Sequence, residues 1–375
     1  MKDNLINNIL PFWLDKLQNT GNIETVVPQG AVLQARMLWS FSAAYNHLQD
    51  PQYLTAATNC YNYLIENFYD PKHSGVYWSL NADGSPLDSK KQFYALGFAI
   101  YGLSEYFKAS NNEKALEYAI ELFLAIEAHS LNREAGGYIE ATTKDWKPIA
   151  DLRLSEKDAN QPLTMNTHLH ILEPYTNLYR VWQSPLVKKR IIALLDIFCD
   201  KIYDPTTNHL GLFFDLNWQS MDKGYSYGHD IEASWLMLEA ALVIEDEEVL
   251  AKVKPIAYKI AMASLEGLQE DGSMIYERSE SGHLDCERHW WVQAETVVGL
   301  MWLQKYHNFE KGEEMALKCW DYIKNNIVDN EGGEWWWSRL PDGTINTAQE
   351  KAGFWKCPYH NSRMCLEYLT IKNQK

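Results

Sequence analysis

The sequence predicts an all-α protein in which twelve helices, paired in six helical hairpins, close into a ring, an α/α barrel. Two observations predict this fold. A pattern of a turn, a glycine and a short aromatic stretch recurs five times, and stretches with helical periodicity lie in pairs between its copies. A third observation, the apolar character of the last helical stretch, favours a closed ring over an open superhelical stack.

The repeat is most regular in its glycines. Gly75, Gly137, Gly211, Gly272 and Gly333 follow one another at spacings of 62, 74, 61 and 61 residues. Each glycine lies in a segment such as YDPKHSGVYW or DNEGGEWWW, where turn residues precede aromatic residues that favour short strands. We therefore expect five short β-hairpin insertions, each following a helical hairpin.

Helical periodicity predicts the elements between these insertions. Proline opens two of the stretches, at Pro51 and Pro185, where the first turn of a helix tolerates it. The predicted helices are Asp3–Asn19, Ala31–Leu48, Pro51–Phe68, Gln92–Ala109, Glu113–His129, Thr164–Trp182, Pro185–Ile202, His229–Ile244, Glu247–Leu268, His289–His307, Lys311–Ile327 and Tyr359–Ile371.

The ends of the chain favour closure of the ring. An open stack needs polar capping repeats at both ends. The last stretch, RMCLEYLTI, stays apolar and can pack against the first, INNILPFWLDKL. No linker rich in proline, glycine or serine divides the sequence, so we expect residues 1–375 to form a single catalytic domain.

Composition excludes some classes of partner. The net charge of −16 argues against nucleic acid and anionic membranes, which are both polyanions. The first nine residues lack the apolar core of a signal peptide, and the strongly apolar run Val297–Leu303 is too short to span a bilayer. The six cysteines are scattered without a CxxC pair, which predicts reduced thiols in a cytoplasmic protein.

Aromatic residues are abundant, with 15 Trp, 22 Tyr and 12 Phe. Such a composition is typical of a well-packed helical core, and it also suits a sugar site in which a pyranose stacks on an aromatic ring. Composition alone favours core packing, so the positions of individual residues must decide between the two interpretations.

Five of the eleven histidines lie at or near the starts of helices that follow a predicted hairpin, and those starts share one rim of a closed ring. Taken singly, each would be a core or surface residue, but their convergence on one rim predicts a functional cleft. The spacing between residues indicates which side chains face the same way, because residues three or four apart share a helix face and residues two apart do not. The five are His168, His170, His229, His289 and His360.

Spacing also suggests supporting contacts. Glu232 lies three residues after His229 and is expected to orient that imidazole, and Glu295 lies four residues after Trp291 on the same face. His168 and His170 point apart, so they cannot both face the cleft. Arg36 lies in the apolar segment QARMLWSF, which suggests that it faces a ligand.

The motifs of several kinds of active site are absent. There is no HExxH, CxxC, GxGxxG, Walker A or GxSxG sequence, so we expect no metal and no nucleotide cofactor. Histidine and carboxylate chemistry on a sugar remains. Two imidazoles on opposite sides of a carbonyl compound suit removal and return of the α-proton, and a cation such as Arg36 suits the enediolate between these steps.

Two other functions stay open on the residues alone. Glycoside hydrolysis needs two carboxyl groups around the bond, for which Glu173, Asp230, Glu232 and Glu295 are available. A non-catalytic glycan-binding protein would use the tryptophans and would need neither the histidines nor Arg36.

Several segments resemble the N-acylglucosamine 2-epimerase superfamily over nearly the whole chain. The most specific are MNTHLHILEPYTNLYR, YGHDIEASWLMLEA, HWWVQAE and KAGFWKCPYHNSRMCLE, with QARMLWSFSAAY and FYALGFAIYGLSEY in support. The resemblance implies an α/α six-barrel, in agreement with the twelve expected helices. It also implies an enzyme that needs no cofactor and works as a monomer.

The resemblance also implies roles for individual residues. His229 and His360 match the pair of acid/base histidines that act at C2, His168 matches a third histidine that helps ring opening, and Arg36 matches the arginine that stabilises the enediolate. Asn166 and Tyr94, in the rim segments MNTHLH and FYALGF, complete the expected site. The expected substrate-binding residues are Glu232, Trp235, Trp291, Glu295, Trp355, Asn166 and Tyr94.

The expected substrate is a β-1,4-linked disaccharide, cellobiose or lactose, whose reducing glucose is epimerised to mannose. The tryptophans Trp290, Trp291 and Trp355 favour a disaccharide, since Trp291 and Trp355 would stack the two sugar rings. The alternative within the superfamily is a monosaccharide 2-epimerase or an aldose–ketose isomerase.

Overall fold

The protein is described by a computed structural model that covers residues 1–18 and 20–373. Within those residues the chain forms twelve long helices, as predicted. The predicted end of the first helix, Asn19, lies outside the described residues. The helices are α1 (residues 2–17, comprising Lys2–Asn4, the π-helical turn Leu5–Ile9 and Leu10–Leu17), α2 (Ala31–Leu48), α3 (Pro51–Tyr63), α4 (Phe93–Ser110), α5 (Glu113–His129), α6 (Met165–Val181), α7 (Pro185–Ile197), α8 (Tyr227–Val243), α9 (Glu247–Ser264), α10 (Trp290–His307), α11 (Gly312–Tyr322) and α12 (Tyr359–Asn373).

The even-numbered helices form an inner ring. Each contacts the next even-numbered helix, and α12 contacts both α2 and the beginning of α1, so the ring is closed. The inner helices are buried on nearly every side: α2, for example, buries every residue from 31 to 44. The closed ring predicted from the apolar last helix is confirmed.

The odd-numbered helices form the outer layer and bury only one face. In α5 the buried residues are Ala115, Ala119, Leu122, Phe123 and Ile126, whose spacing of three and four residues marks one stripe of a helix. Three outer helices end in a π-helical turn, at Leu64–Phe68, Phe198–Ile202 and Ile323–Ile327, directly before a hairpin. These turns end helices that the periodicity alone predicts as continuous.

The five-fold repeat appears as five hairpins that follow outer helices. The antiparallel pairs that close them are Tyr69 with Val76, Leu131 with Tyr138, Tyr203 with Leu210, Leu268 with Met274, and Val328 with Trp335. Gly272 has a φ of 90°, and a Cβ there would lie 2.8 Å from the backbone carbon of Lys318. In the third repeat the residue with left-handed backbone geometry is Asn208, whose φ is 64°.

Short strands collect at one rim of the ring. A strand of two residues precedes five of the inner helices and pairs with a strand from the chain that follows the next outer helix. This arrangement ties the starts of those inner helices together. The strands are Gln29–Gly30, Ser79–Leu80, Pro86–Asp88, Lys91–Gln92, Leu131–Asn132, Gly137–Tyr138, Ala141–Thr142, Leu163–Thr164, Phe213–Phe214, Tyr225–Ser226, Glu277–Arg278, Leu284–Asp285, Arg288–His289 and Ser338–Arg339.

Across the described residues, every helix is too short or too polar to serve as a membrane span.

Candidate active site

A cavity of about 760 Å³ opens at the rim where the inner helices begin. All six inner helices or the loops leading into them contribute to its wall. Segment 152–161 and the chain around Trp337 and Asn346 complete the mouth. The lining residues from the inner ring include Arg36, Tyr94, Asn166, His170, His229, Glu232, Trp290, Trp291, Trp355 and His360.

His360 is held from behind by a carboxylate. Its Nδ1 lies 2.7 Å from Oε1 of Glu295, which leaves Nε2 as the ring nitrogen available to a ligand. Burial lowers the pKa of His360 well below its usual value, and the charges of Arg36 and Arg363 lower it further. The imidazole is therefore neutral near pH 7 and able to accept a proton.

His229 is held by a hydroxyl group. Its Nδ1 lies 2.9 Å from Oγ of Ser226, the residue that caps the start of α8. Burial, followed by the charge of His170, lowers the pKa of His229 to about 3. The expectation that Glu232 orients His229 is wrong. The Glu232 side chain points toward α12, where its Oε1 accepts a hydrogen bond from Arg363.

Trp291 lies against both histidines. Its ring centre is 4.8 Å from that of His229 and 5.6 Å from that of His360, and all three side chains line the cavity. The two imidazoles therefore lie beside one aromatic ring in the cavity wall.

His168 does not reach the cavity, which corrects its predicted catalytic role. Its Nδ1 lies 2.6 Å from the backbone oxygen of Thr164, and its Nε2 accepts a hydrogen bond from the backbone N–H of Tyr138 at 3.0 Å. Both ring nitrogens are thus used by the backbone, and burial lowers the pKa of His168 to about 4. His168 fastens a hairpin to α6.

His170 takes the place in the cavity wall that was expected of His168. Its Nδ1 lies 3.0 Å from Oε2 of Glu173, one helical turn further along α6. Its ring packs against those of Tyr94 and Phe98, with centres 5.0 and 4.9 Å away. Since residues two apart on a helix point in different directions, only one of His168 and His170 can face the cavity, and it is His170.

Arg36 is a buried cation without a carboxylate in contact among the described residues. Its Nη2 donates to the hydroxyl group of Tyr94 at 2.8 Å, and Nε has no partner. The guanidinium lies between the rings of Phe98 and Tyr359, 4.1 and 4.7 Å from their centres. Its charge is left to interact with an anion in the cavity, which fits its predicted role.

Behind the cavity wall, Arg363 binds three buried carboxylates. Its Nη2 lies 2.6 Å from an oxygen of Glu232 and 2.6 Å from one of Glu295, and its Nη1 bonds Glu173. Burial raises the pKa of Glu232 to about 8, helped by the charge of Glu295 and opposed by that of Arg363. One guanidinium cannot balance three charges, so this cluster tends to retain a proton.

Two predicted substrate-binding residues lie behind the wall rather than in it. Glu295 is fully buried and faces Nδ1 of His360 and Nη2 of Arg363. It also accepts a hydrogen bond from the indole N–H of Trp235 at 3.1 Å. Trp235 is 2 % exposed and lies under the Arg363 guanidinium. Both residues therefore support His360 and do not border the cavity, which corrects their predicted contact with substrate.

The other predicted substrate-binding residues border the cavity. Two buried acceptors at the cavity, Oδ1 of Asn166 and Oε2 of Glu232, have no hydrogen-bond partner in the described part of the protein. The buried indole N–H of Trp290 is a donor that also has no partner there. Trp355 packs edge-on against Tyr94 and beside Trp78. Unpaired polar atoms beside aromatic rings suit a molecule with many hydroxyl groups.

Glu232, Glu295 and His360 also bring ligand-type atoms within 4.8 Å of one another, close enough for a metal ion. However, Nη2 of Arg363 contacts both carboxylates at 2.6 Å. The guanidinium already supplies the positive charge at this place, so the donor set does not fit a metal ion.

Sequence reasoning missed the residues that support the histidines. The separation of three residues between Ser226 and His229, and between His170 and Glu173, is a signal that could have found both pairs. No local pattern marks Arg363, whose carboxylate partners lie 68 to 190 positions away. His209, in the third hairpin, is buried, and its Nδ1 lies 2.7 Å from Oδ2 of Asp230.

The chain is similar to proteins of one known family over nearly its whole length. Residues 12–363 match the family model described as N-acylglucosamine 2-epimerase. The cellobiose 2-epimerase of Bacteroides fragilis is 50% identical over 382 residues, covering 98% of this chain and 97% of its own. A solved cellobiose 2-epimerase from Bacillus thermoamylovorans B4167 superposes with a TM-score of 0.93 at 39% identity, covering 99% of this chain and 98% of the other.

A more distant relative has a different name. The D-mannose isomerase of Marinomonas mediterranea is 24% identical over 356 residues, covering 90% of this chain and 86% of its own. The family model matches most of the chain, and the two cellobiose 2-epimerases match it over nearly their full length. The chain belongs to the N-acylglucosamine 2-epimerase family.

Proposed function

We propose that this protein is a cellobiose 2-epimerase, which converts the reducing glucose of a β-1,4-linked disaccharide to mannose without a cofactor. The observation that carries the proposal is that His229 and His360 both lie beside Trp291 in the cavity wall, each with Nδ1 engaged and Nε2 left for the substrate. The names of the relatives at 50% and 39% identity support the substrate.

The first step is opening of the reducing ring. A base takes the proton of the anomeric hydroxyl group while O5 receives a proton, and the sugar becomes an open-chain aldehyde. His170 borders the cavity with Nδ1 facing Glu173, so its Nε2 is placed to accept a proton from a hydroxyl group. We assign to His170 the role that the sequence suggested for His168.

The second step is exchange of the C2 proton. One of His229 and His360 removes the proton from C2, and its electron pair forms the C1=C2 double bond while the carbonyl oxygen becomes an enediolate oxygen. After rotation about C2–C3, the other imidazole delivers a proton to the opposite face of C2. The pair shares one proton: the imidazole that removes the C2 proton enters the step neutral, and the imidazole that delivers a proton enters it as an imidazolium. Glu232, whose buried carboxyl group has a pKa raised to about 8 and borders the cavity, is the source of that proton.

Arg36 stabilises the enediolate. A cation that has no carboxylate in contact and is packed between two aromatic rings keeps its charge for the oxygen that becomes negative. Its position is maintained by the hydrogen bond to Tyr94, so little reorganisation is required when the charge develops.

Trp291 and Trp355 provide the surfaces for the two sugar rings. Both indoles border the cavity and are partly exposed, and Trp291 contacts the two histidines that act at C2. We therefore assign the reacting ring to Trp291 and the neighbouring ring to Trp355. Asn166, with its unpaired oxygen, accepts a hydrogen bond from a sugar hydroxyl group.

Glycoside hydrolysis finds less support at this site. Among the carboxylates that border the cavity, those of Glu140 and Glu232 are almost fully buried; Glu140 accepts from Thr164 and Thr167, and Glu232 bonds Arg363. A glycosidase needs one carboxyl group as an acid and a second free to act as a nucleophile or base. Binding without catalysis would not require buried histidines backed by glutamates.

The testing experiment is a proton NMR time course of the purified protein with cellobiose in D₂O. We expect glucosyl-mannose to appear with deuterium at C2. Release of free glucose would instead support a hydrolase, and reaction only with mannose, glucose or N-acetylglucosamine would support a monosaccharide enzyme. The matched control is the His229→Ala variant, which should leave cellobiose and its C2 proton unchanged.

We further infer that residues 1–375 act as one catalytic domain and as a monomer, since every side chain assigned here comes from a single closed ring. All six cysteines lie among the described residues and are free thiols, which favours a reducing compartment. We therefore propose a cytoplasmic location.

A further inference from the structure

Two histidines of the cavity wall are backed by glutamates that meet at one guanidinium. Glu295 lies behind His360 on one side of Arg363, and Glu173 lies behind His170 on the other side. Arg363 is 1 % exposed, Glu173 2 % and Glu295 is fully buried, so no solvent separates these groups. His170 and His360 come from α6 and α12, which are not neighbours in the inner ring.

On the His360 side every donor to Glu295 is accounted for. Its Oε1 faces Nδ1 of His360 at 2.7 Å and Nη2 of Arg363 at 2.6 Å, and its Oε2 accepts from Trp235. Burial raises the pKa of Glu295, but both of its oxygens already face donors, whereas Oε2 of Glu232 has no partner among the described residues. We therefore assign the proton that the cluster retains to Glu232. Glu295 then only accepts hydrogen bonds, so Nδ1 of His360 carries its proton and Nε2 presents its lone pair to the cavity.

The His170 side is built in the same way. Oε2 of Glu173 faces Nδ1 of His170 at 3.0 Å, and its Oε1 accepts from Arg363 and from the hydroxyl group of Tyr359. Although burial alone raises the pKa of Glu173, the charge of Arg363 and the hydrogen bond with His170 bring it down to about 2. Glu173 is therefore ionised, and His170 also presents the Nε2 lone pair.

His229 provides the contrast. Its Nδ1 faces the hydroxyl group of Ser226, which can donate or accept, so its surroundings do not impose one tautomer. Among His170, His229 and His360, the two that are connected through Arg363 have a tautomer set by a buried carboxylate.

We propose that Arg363 and Glu173 are positioning residues, which together with Glu295 form a buried relay that holds His170 and His360 in the Nδ1–H tautomer. The relay deepens the proposed function and rests on it for the catalytic consequence: the ring-opening base and one of the C2 histidines are kept ready to accept protons by the same guanidinium. Arg363 touches no substrate and acts through the two glutamates.

The sharpest test is the Glu173→Gln variant, which keeps size and most hydrogen bonds. The new amide can still accept from Arg363 through its oxygen, but its NH₂ group donates to Nδ1 of His170 and moves the ring proton to Nε2. We expect ¹⁵N NMR of the histidine side chains to show one imidazole changing from the Nδ1–H to the Nε2–H tautomer. We expect kcat to fall by about 100-fold or more, with KM little changed.

Arg363→Lys tests the shared guanidinium. A single ammonium group cannot reach the carboxylates on both sides, so we expect both His170 and His360 to lose their fixed tautomer and kcat to fall. The matched control is Glu105→Gln, a buried glutamate of α4 that accepts from Asn46 and Asn177 and contacts no histidine of the cavity. In the Glu105→Gln protein, the tautomers of His170 and His360 and the value of kcat should equal those of the wild type.

The tautomer measurement uses no substrate, so the relay and the proposed function can fail separately. Unchanged tautomers in Glu173→Gln and in Arg363→Lys, or wild-type kcat in a variant whose tautomer has changed, would overturn the relay. If Arg363→Lys does not fold, Glu173→Gln and Glu295→Gln test the two sides one at a time. Altered tautomers in a protein whose wild type leaves cellobiose unchanged would support the relay and refute the substrate.

Discussion

Oε1 of Glu295 lies 2.7 Å from Nδ1 of His360, although the two residues are 65 positions apart in the chain and belong to different helices. The contact exists because α10 and α12 are neighbours in the inner ring, and it fixes which nitrogen of His360 meets the substrate. The predictions below concern this histidine, its partner His229 and the groups around them.

His229→Ala and His360→Ala should each reduce epimerisation of cellobiose by at least about 1,000-fold, because each removes one of the two groups that exchange the C2 proton. Both proteins should remain folded, since the two rings border a cavity. NMR detection of glucosyl-mannose measures the rate, and circular dichroism checks the fold. His283→Ala, at an exposed turn, is the control, and near-normal turnover in either active-site variant would refute its assignment.

His168→Ala and His170→Ala should differ in their effect on kcat. Removal of His168 leaves the Tyr138 N–H and the Thr164 carbonyl without their partner, which costs about 1–3 kcal/mol of unfolding free energy while kcat changes little in the protein that remains folded. Removal of His170 likewise leaves Oε2 of the buried Glu173 without its partner, so the unfolding free energy should also fall, and ring opening should be abolished in the protein that remains folded. Thermal unfolding together with kcat measures both, and the reverse pattern would restore the role first expected of His168.

The pH profile should extend into the acid range. Burial and the charge of His170 lower the pKa of His229 from 6.5 to about 3, so this base stays neutral, and able to accept a proton, as the pH falls below 6.5. Activity that depends on the neutral form is lost only as the pH falls through the lowered value. We expect the acid limb of kcat/KM for cellobiose to lie clearly below pH 6.5; a limb at 6.5 or above would contradict the effect of burial on this group.

Arg36→Lys should lower kcat by about 100-fold or more, because an ammonium group cannot both bond Tyr94 and keep the contacts of a planar guanidinium with the Phe98 and Tyr359 rings. KM should change much less, since the charge matters most for the enediolate. Arg133→Lys, at an exposed position, serves as the control. A kcat equal to that of the wild type would mean that Arg36 only packs against the two rings.

Trp355→Ala should raise KM for cellobiose about tenfold through the loss of a stacking surface, whereas Trp355→Phe should retain most of the affinity. A monosaccharide occupies only the ring site at Trp291, so its KM should be the same in all three proteins. Steady-state kinetics with cellobiose, and binding of glucose or mannose, measure the difference. Equal loss for the disaccharide and the monosaccharide would place the reacting ring at Trp355 instead.

The sequence predicted the fold well because the fold is repetitive. Glycines spaced at nearly constant intervals and paired helical stretches report local turns and periodicity, which depend on residues close together in the chain. The bounds of Ala31–Leu48 and Glu113–His129 agree with the structure, and the other helices differ by a few residues. The π-helical turns were not predicted, since a fifth residue in a turn leaves no mark in the pattern.

The candidate site was predicted in its composition and only partly in its arrangement. Helix spacing indicated correctly that His168 and His170 cannot both face the cavity, but it could not say which one does. That choice depends on the rotation of α6 against its neighbours and on the Tyr138 N–H, which takes one nitrogen of His168. The predicted pairing of Glu232 with His229 was wrong for the same reason, since the Glu232 carboxylate accepts from Arg363 on another helix of the ring.

By itself the sequence determined the helical ring, the rim on which histidines and tryptophans gather, and the presence of Arg36, His229 and His360 there. Only the tertiary structure decided how these groups are supported: Glu295 behind His360, Glu173 behind His170, and Arg363 between them. Helical periodicity and turns depend on residues that are close together in the chain. A buried charge, in contrast, must find its partners wherever packing brings them, and here those partners come from α6, α8 and α10 around one guanidinium on α12.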